Sequence, residues 1–475
     1  MEDQFENISD ENPDEKIKYS IERYEEMVRK QDQYFFDVDS FLNIIDYYFD
    51  KNQPARALQV IEYALSQHPS SVEFLLKQSQ LLSFTGKHDK ALEILDRAAS
   101  MEPSDPNIFM VRGNILSQQE KYEEAIENFN AAIPLVDEDI DQLYLNIAYT
   151  YESWEDYEKA IEYFKRSLEE NPENETALYE IAYCFDVNDK PEESVSFYNQ
   201  FIDKYPYSYA AWYNLGTVYN KLGLYEKALE AVDYAILIKY DFAAAYFNKG
   251  NTLANMERFE DAIASYKQTF EFEPPDALTY YNIGECYEKL EQMDDARSYY
   301  KKSTKMDPLL AEAWFGIGVT LEHEERWYEA VHFIKKAIEL EDHHAEFWFS
   351  LGDTERKLGN IKEAEESYQK VIDIEPDNIE IWLDYSEFLM EKERKNEAVE
   401  TIAEGIKYHP DSAEMIYRMT CYQYVLGNKQ ESLSNLQRAL ELSFEQHNLL
   451  FEYFPDIKND TDVLNLIELY KKKSK

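Results

Sequence analysis

Trp212-Tyr213-Asn214-Leu215-Gly216 recurs as Tyr246-Phe247-Asn248-Lys249-Gly250 and again as Tyr280-Tyr281-Asn282-Ile283-Gly284. The step is 34 residues each time, and Trp314 with Gly318, Trp348 with Gly352 and Trp382 with Ser386 keep the register. Self-similarity at this period means stacked supersecondary units. It overrides the division into about three domains that length alone suggests.

With residue 38 as position 1, units run 38–71, 72–105, 106–139, 141–174, 175–208 and 209–242. They continue at 243–276, 277–310, 311–344, 345–378, 379–412 and 413–446, with one extra residue near 140. All 12 glycines fall on four positions of this frame: six at position 8, four at position 15, Gly316 at position 6 and Gly405 at position 27. Position 8 lies inside a first helix, where Gly costs about 1 kcal/mol against Ala and is tolerated only if a neighbouring helix comes close. Position 20, on a second helix, is Ala in ten of twelve units and supplies the other small surface. Gly86, Gly223, Gly359 and Gly427 at position 15 suit a left-handed helix end. Pro54 and Pro191 suit the first turn of the second helix, and Pro at position 32 in eight units stops it. Each unit is therefore a helical hairpin that cannot bury its apolar stripe alone.

The pattern aromatic-x-x-x-Gly-x-x-Tyr, then Ala at 20, Ala at 27 and Pro at 32, resembles the tetratricopeptide repeat family in its bacterial-type, multi-repeat form. Tyr280, Gly284, Tyr287, Ala296, Tyr300 and Pro308 show it well, and the resemblance spans 38–446. The end units depart from it, with Ile45, Thr420 and Ser432 at small-residue positions. The resemblance implies an all-α, right-handed superhelical solenoid of about twelve helix-turn-helix repeats with helical caps. The expected segments are an acidic stretch and capping helix over 1–37, the repeats over 38–446, and a capping helix with basic tail over 447–475.

In the first flank, Glu2, Asp3, Glu6, Asp10 and Glu11 have no basic partner and are expected to be disordered. Ile17, Ile21, Tyr24 and Val28 then recur at helical spacing. In the last flank, Asp460 or Thr461 can cap a helix ending in Lys471-Lys472-Lys473, which complements the helix dipole.

Charge narrows the function. Lys and Arg number 48 against 96 Asp and Glu, a net of −48, which argues against nucleic acid and against anionic membrane surfaces as partners. No apolar run is long enough to span a bilayer and no secretory leader is visible. Three cysteines cannot staple a chain this long, so a reducing, cytoplasmic setting is expected. Cys184, Cys286 and Cys421 occupy small slots of first helices and read as core thiols. His343-His344 stand at a turn between units, with no Cys or carboxylate at ligand spacing, so no metal or other cofactor is expected. Acid pairs such as Asp294-Asp295 carry no catalytic information in so acidic a chain. No phosphate loop or nucleophile motif is present, and only 29 residues follow the last unit. An enzyme is not expected.

In the resembled fold, positions 2, 5, 6, 9, 12 and 13 of the first helix line the concave face. Here they carry eighteen acids and six bases over 72 positions, a surface more acidic than the chain average. Position 6 forms a row of amides, Asn146, Asn214, Asn248 and Asn282, interrupted by Glu180. Position 5 sets aromatics beside it, among them Tyr179, Tyr213, Phe247 and Tyr281, and Asn251 adds an amide at position 9. Amides donate and accept, so such a row can pair with an extended peptide backbone whatever its sequence. The lysine and arginine clamp by which some relatives hold a terminal carboxylate is missing. The expected function is a non-catalytic protein-interaction scaffold holding a neutral-to-basic peptide. The alternatives are an oligomerising structural subunit or a regulatory subunit of an enzyme complex, using other surfaces.

Overall fold

Turn chemistry decides where each helix starts and stops. The computed structural model describes residues 13–136 and 138–473, and every regular element among the described residues is helical. The chain divides into two compact units, Met1–Tyr240 and Asp241–Lys475. In the first, helix Pro13–Lys30 precedes hairpins 1–6. Their A and B helices are Val38–Asp50 and Pro54–Gln67, Val72–Phe84 and His88–Met101, and Pro106–Gln118 and Tyr122–Ala132. Ile140–Ser153 and Tyr157–Glu170, Glu175–Val187 and Pro191–Lys204, and Tyr209–Lys221 and Tyr225–Ile238 follow. The extra residue near 140 is absorbed by a 3-10 turn at Ile133–Leu135 and a left-handed Asp139 (φ +61°).

The second unit holds hairpins 7–12. They are Ala243–Asn255 and Phe259–Thr269, Ala277–Lys289 and Met293–Met306, and Ala311–His323 and Trp327–Leu340. Ala345–Leu358 and Ile361–Ile374, Ile379–Glu391 and Lys395–Tyr408, and Ala413–Val425 and Lys429–Leu442 complete the set. A short helix, Leu449–Tyr453, and the terminal helix Thr461–Lys473 follow. Asp460 caps the latter, its Oδ1 accepting from the backbone N–H of Asp462 at 2.9 Å. Within each unit a B helix packs on its own A helix and on the next, and consecutive A helices also meet, as in hairpins 2 and 3 and in hairpins 9 and 10.

Eight A helices begin with a capping side chain. Asp37, Ser71, Asp105, Asn174, Ser208, Asp276, Asn378 and Ser412 each accept a backbone N–H from the first turn. All twelve A helices end the same way. Position 15 is left-handed in every unit, from φ +52° at Asp189 to +81° at Gly427. The residue after it bonds back five residues, as Arg258 N does to Leu253 O and Arg326 N to Leu321 O, each at 2.9 Å. The sequence reading attached this geometry to glycine alone. Eight units adopt it with Asn52, Asp189 or a glutamate, because the two closing hydrogen bonds outweigh the steric cost at one residue.

The A–B contact is tighter than a pairing of small residues. The ten Ala at position 20 have no exposure, but the atoms over Gly at position 8 come mostly from position 24. A Cβ on Gly250 would meet the Tyr266 ring at 2.5 Å, and one on Gly284 the Tyr300 ring at 2.7 Å. Where position 8 is Ser79, its hydroxyl donates to the Ala91 carbonyl across the hairpin at 2.8 Å. Successive hairpins are tied by indoles: Trp212 donates to Pro206 O, Trp314 to Pro308 O and Trp382 to Pro376 O, at 2.9–3.0 Å.

One reading of the first flank changes. Met27 is buried at 3% exposure while Val28 is 57% exposed, because the stripe continues three residues after Tyr24 rather than four. The acids Glu2, Asp3, Glu6, Asp10 and Glu11, expected to be disordered, lie outside the described residues. All three cysteines are buried, and burial is the main cause that pushes each thiol up to about 12, as core thiols require.

Two substitutions probe these contacts. Glu257→Gly relieves a left-handed non-glycine residue and is expected to stabilise by up to about 1 kcal/mol. Gly284→Ala puts a methyl against Tyr300 and is expected to cost about 1–3 kcal/mol. Urea denaturation followed by circular dichroism reads both.

Candidate peptide-binding site

Every residue singled out for peptide binding lies on an A helix. In the first unit, Tyr179 and Tyr213 of successive hairpins meet edge to face with centroids 6.1 Å apart. In the second, Phe247 lies against Tyr266 at 5.5 Å and Tyr281 against Tyr300 at 5.7 Å. Tyr179, Tyr213, Phe247 and Tyr281 are half-buried, while Tyr266 and Tyr300 are buried.

The amides divide. Asn146 and Asn282 are half-buried, whereas Asn214 and Asn248 are 3% and 6% exposed. The expected row of amides open to a ligand is therefore not continuous. The cause is visible in hairpin 9, where a Cβ on Gly316 at position 6 would meet Tyr300 of the preceding hairpin at 2.6 Å. Position 6 points into the seam between hairpins, not squarely at the open face. Asn214 Nδ2 is covered and has no hydrogen-bond partner. Asn251 is half-buried, and its Oδ1 accepts from the Tyr266 hydroxyl at 2.7 Å.

That last bond belongs to a pattern the sequence reading missed. Three of the four buried position-24 tyrosines send their hydroxyls to A-helix side chains, the other two being Tyr300 to Glu288 Oε2 at 2.7 Å and Tyr368 to Asp353 Oδ1 at 2.6 Å. The fourth, Tyr198, donates to the Leu178 carbonyl at 2.6 Å although Asp186 stands at position 12, so tyrosine at position 24 beside an acid or amide signals the bond without guaranteeing it.

Neutral donors hold these acids where cations are few. Burial and then the neighbouring Glu180 push Glu152 up to about 7, and its Oε2 has no partner. In the second unit, burial followed by Asp353 and Glu387 pushes Asp384 up to about 6. Burial also raises Glu288 and Glu322, although Tyr300 donates to the first and Ser350 and Thr354 to the second. Some acids do have partners, such as Glu391 with Arg356. The face nonetheless carries negative charge that its own cations do not balance.

The tetratricopeptide repeat description matches residues 48–115, 106–169, 145–209 and 197–230, then 243–276, 277–308, 324–379 and 355–417. The chain belongs to the tetratricopeptide repeat family. No curated protein matches it. A solved structure to which it is similar is described as "Crystal structure of YrrB: a TPR protein with an unusual peptide-binding site". The two are 24% identical, over 39% of this chain and 95% of that one, with a TM-score of 0.33.

One expectation about this tetratricopeptide repeat protein is corrected. A carboxylate does accompany His343 and His344, since Glu341 turns back to set its oxygen beside the His344 ring. Spacing alone hid it because the three residues straddle a turn. No helix among the described residues is long and apolar enough to cross a membrane.

The raised carboxylates make stability depend on pH with an unusual sign. Glu152 and Asp384 hold protons more tightly folded than unfolded, so the stabilisation is complete below the ordinary carboxylate range. It is lost as pH rises through about 6 to about 7. The melting temperature is expected to rise by a few degrees between pH 8 and pH 5.5. Glu152→Gln with Asp384→Asn should flatten that slope in a thermal melt.

Proposed function

We propose that this protein is a non-catalytic scaffold whose A-helix faces each hold an extended, neutral-to-basic segment of a partner protein. The observation that carries the reading is that half-buried aromatics and carboxyls raised by burial, and then by neighbouring acids, both lie on A helices. Aromatic rings such as Tyr213 and Tyr281 supply rigid contact area at low entropic cost. A lysine or arginine brought against Asp384 or Glu152 would meet a charge that is short of partners, and would draw its proton off. Asn146 and Asn282 offer side-chain amides at the edges of this surface for the partner's backbone.

Opposite charge also sets the kinetics. A chain of net −48 attracts cationic segments and repels acidic ones over distances of about a Debye length, ~10 Å at moderate salt.

The test is a peptide array with matched basic, neutral and acidic 12-mers, followed by anisotropy titration of the best binders. Binders are expected to carry net positive charge and aromatic or aliphatic side chains. Asp353→Asn, Asp384→Asn and Glu387→Gln together should weaken them about tenfold or more, and affinity should rise from pH 5.5 to pH 7.5 as the acids ionise. Selection of acidic peptides, or unchanged affinity in a folded triple variant, would overturn the reading.

A further inference from the structure

The joint between hairpins 9 and 10 departs from the other joints in its side chains. It runs Glu341-Asp342-His343-His344, followed by Ala345 and Glu346, with three carboxylates and no lysine or arginine. Glu341 ends one helix, its N–H donating to Ala337 O at 2.9 Å, and His344 immediately precedes the next. One ligand atom from each of Glu341, His343 and His344 lies within 4.8 Å of the others. His344 Nε2 is already 2.7 Å from a Glu341 oxygen.

The arrangement is braced from behind. The His344 ring stacks on Phe347, centroids 4.8 Å apart, and lies 4.9 Å from the His343 ring. The Trp348 indole donates to Asp342 O at 2.7 Å, tying down the turn itself. His344 stands where eight other A helices carry a capping Ser, Asp or Asn, and like Asp139, Phe242 and Leu310 it makes no capping bond. The side chains of His344 and Glu341 are 42% and 35% exposed, so an ion and its remaining water ligands have access.

We propose that Glu341, His343 and His344 bind a divalent transition ion of the zinc class, stapling the end of one hairpin to the start of the next. Two imidazole nitrogens with one carboxylate suit zinc, nickel or copper, and water completes the coordination. Magnesium and calcium favour all-oxygen sets and are discriminated against. An ion shared by residues from two helix ends stiffens the joint between them.

Calorimetric titration of the metal-stripped full chain with zinc chloride tests this, with magnesium and calcium chloride as controls. One saturable equivalent of zinc is expected in the wild type, unaffected by equimolar magnesium or calcium. H343A with H344A should abolish it, and E341Q should weaken it about tenfold or more. H344N restores a capping side chain, so it should keep or raise the melting temperature while losing the ion. No saturable zinc uptake by the wild type would overturn the proposal. So would an equivalent retained in the double variant, unchanged affinity in E341Q, or displacement by equimolar magnesium.

Discussion

The close approach of the two helices within each hairpin is the constraint on which the rest depends. Glycine or a small residue at position 8 lets the partner helix settle against the backbone, and a position-24 side chain, a ring at four of the six glycines, fills the space that a Cβ would take. Tyr266, Tyr300 and Tyr368 do this with almost no exposure. A large buried ring needs a partner for its hydroxyl, and each of these three finds it on the A helix, at Asn251, Glu288 and Asp353. One packing decision therefore sets hairpin geometry and also fixes polar groups on the A helix.

The same decision shapes the electrostatics. A tyrosine hydroxyl satisfies a carboxylate's hydrogen-bonding capacity without neutralising its charge. Asp384 is raised first by burial and then by Asp353 and Glu387, with Arg418 and Arg356 opposing them, and Tyr281 is raised by burial and by four glutamates. Acids raised in this way cost folding free energy at neutral pH. A face selected only for stability would pair these acids internally, as Arg394 does with Glu397 and Glu365 on the B-helix side.

Most of the architecture was legible in a single sequence because repetition makes weak local signals add. One glycine in a helix means little, but six at the same position of a 34-residue frame specify a close approach. The left-handed turn at position 15 was legible only where it is glycine. Glu257 and Glu325 adopt it because hydrogen bonds to the preceding turn impose it, and no local propensity announces that. The candidate site was legible in its residue types but not fully in its exposure. Asn146, Asn214, Asn248 and Asn282 are equivalent in the frame, yet two are buried and two are not. Helical periodicity assigns a direction around one helix axis. It does not say how far the preceding hairpin overlaps that direction, and this overlap decides whether a position-6 side chain meets solvent or a tyrosine.

The joints show the complementary limit. A turn brings together residues whose separation in sequence corresponds to no helical or strand period, so a pattern search built on periods passes over them. Glu341 and His344 meet because only four residues separate one helix from the next, with a tryptophan and a phenylalanine from the first turn of the new helix packed on the joint. In a repeat protein the faces are variations on a shared theme, constrained at every unit by the same packing. The joints are free of that constraint wherever a cap can be dispensed with. A single joint can therefore acquire chemistry that the repeating frame neither requires nor reveals, and His344 in place of a capping residue is such a departure.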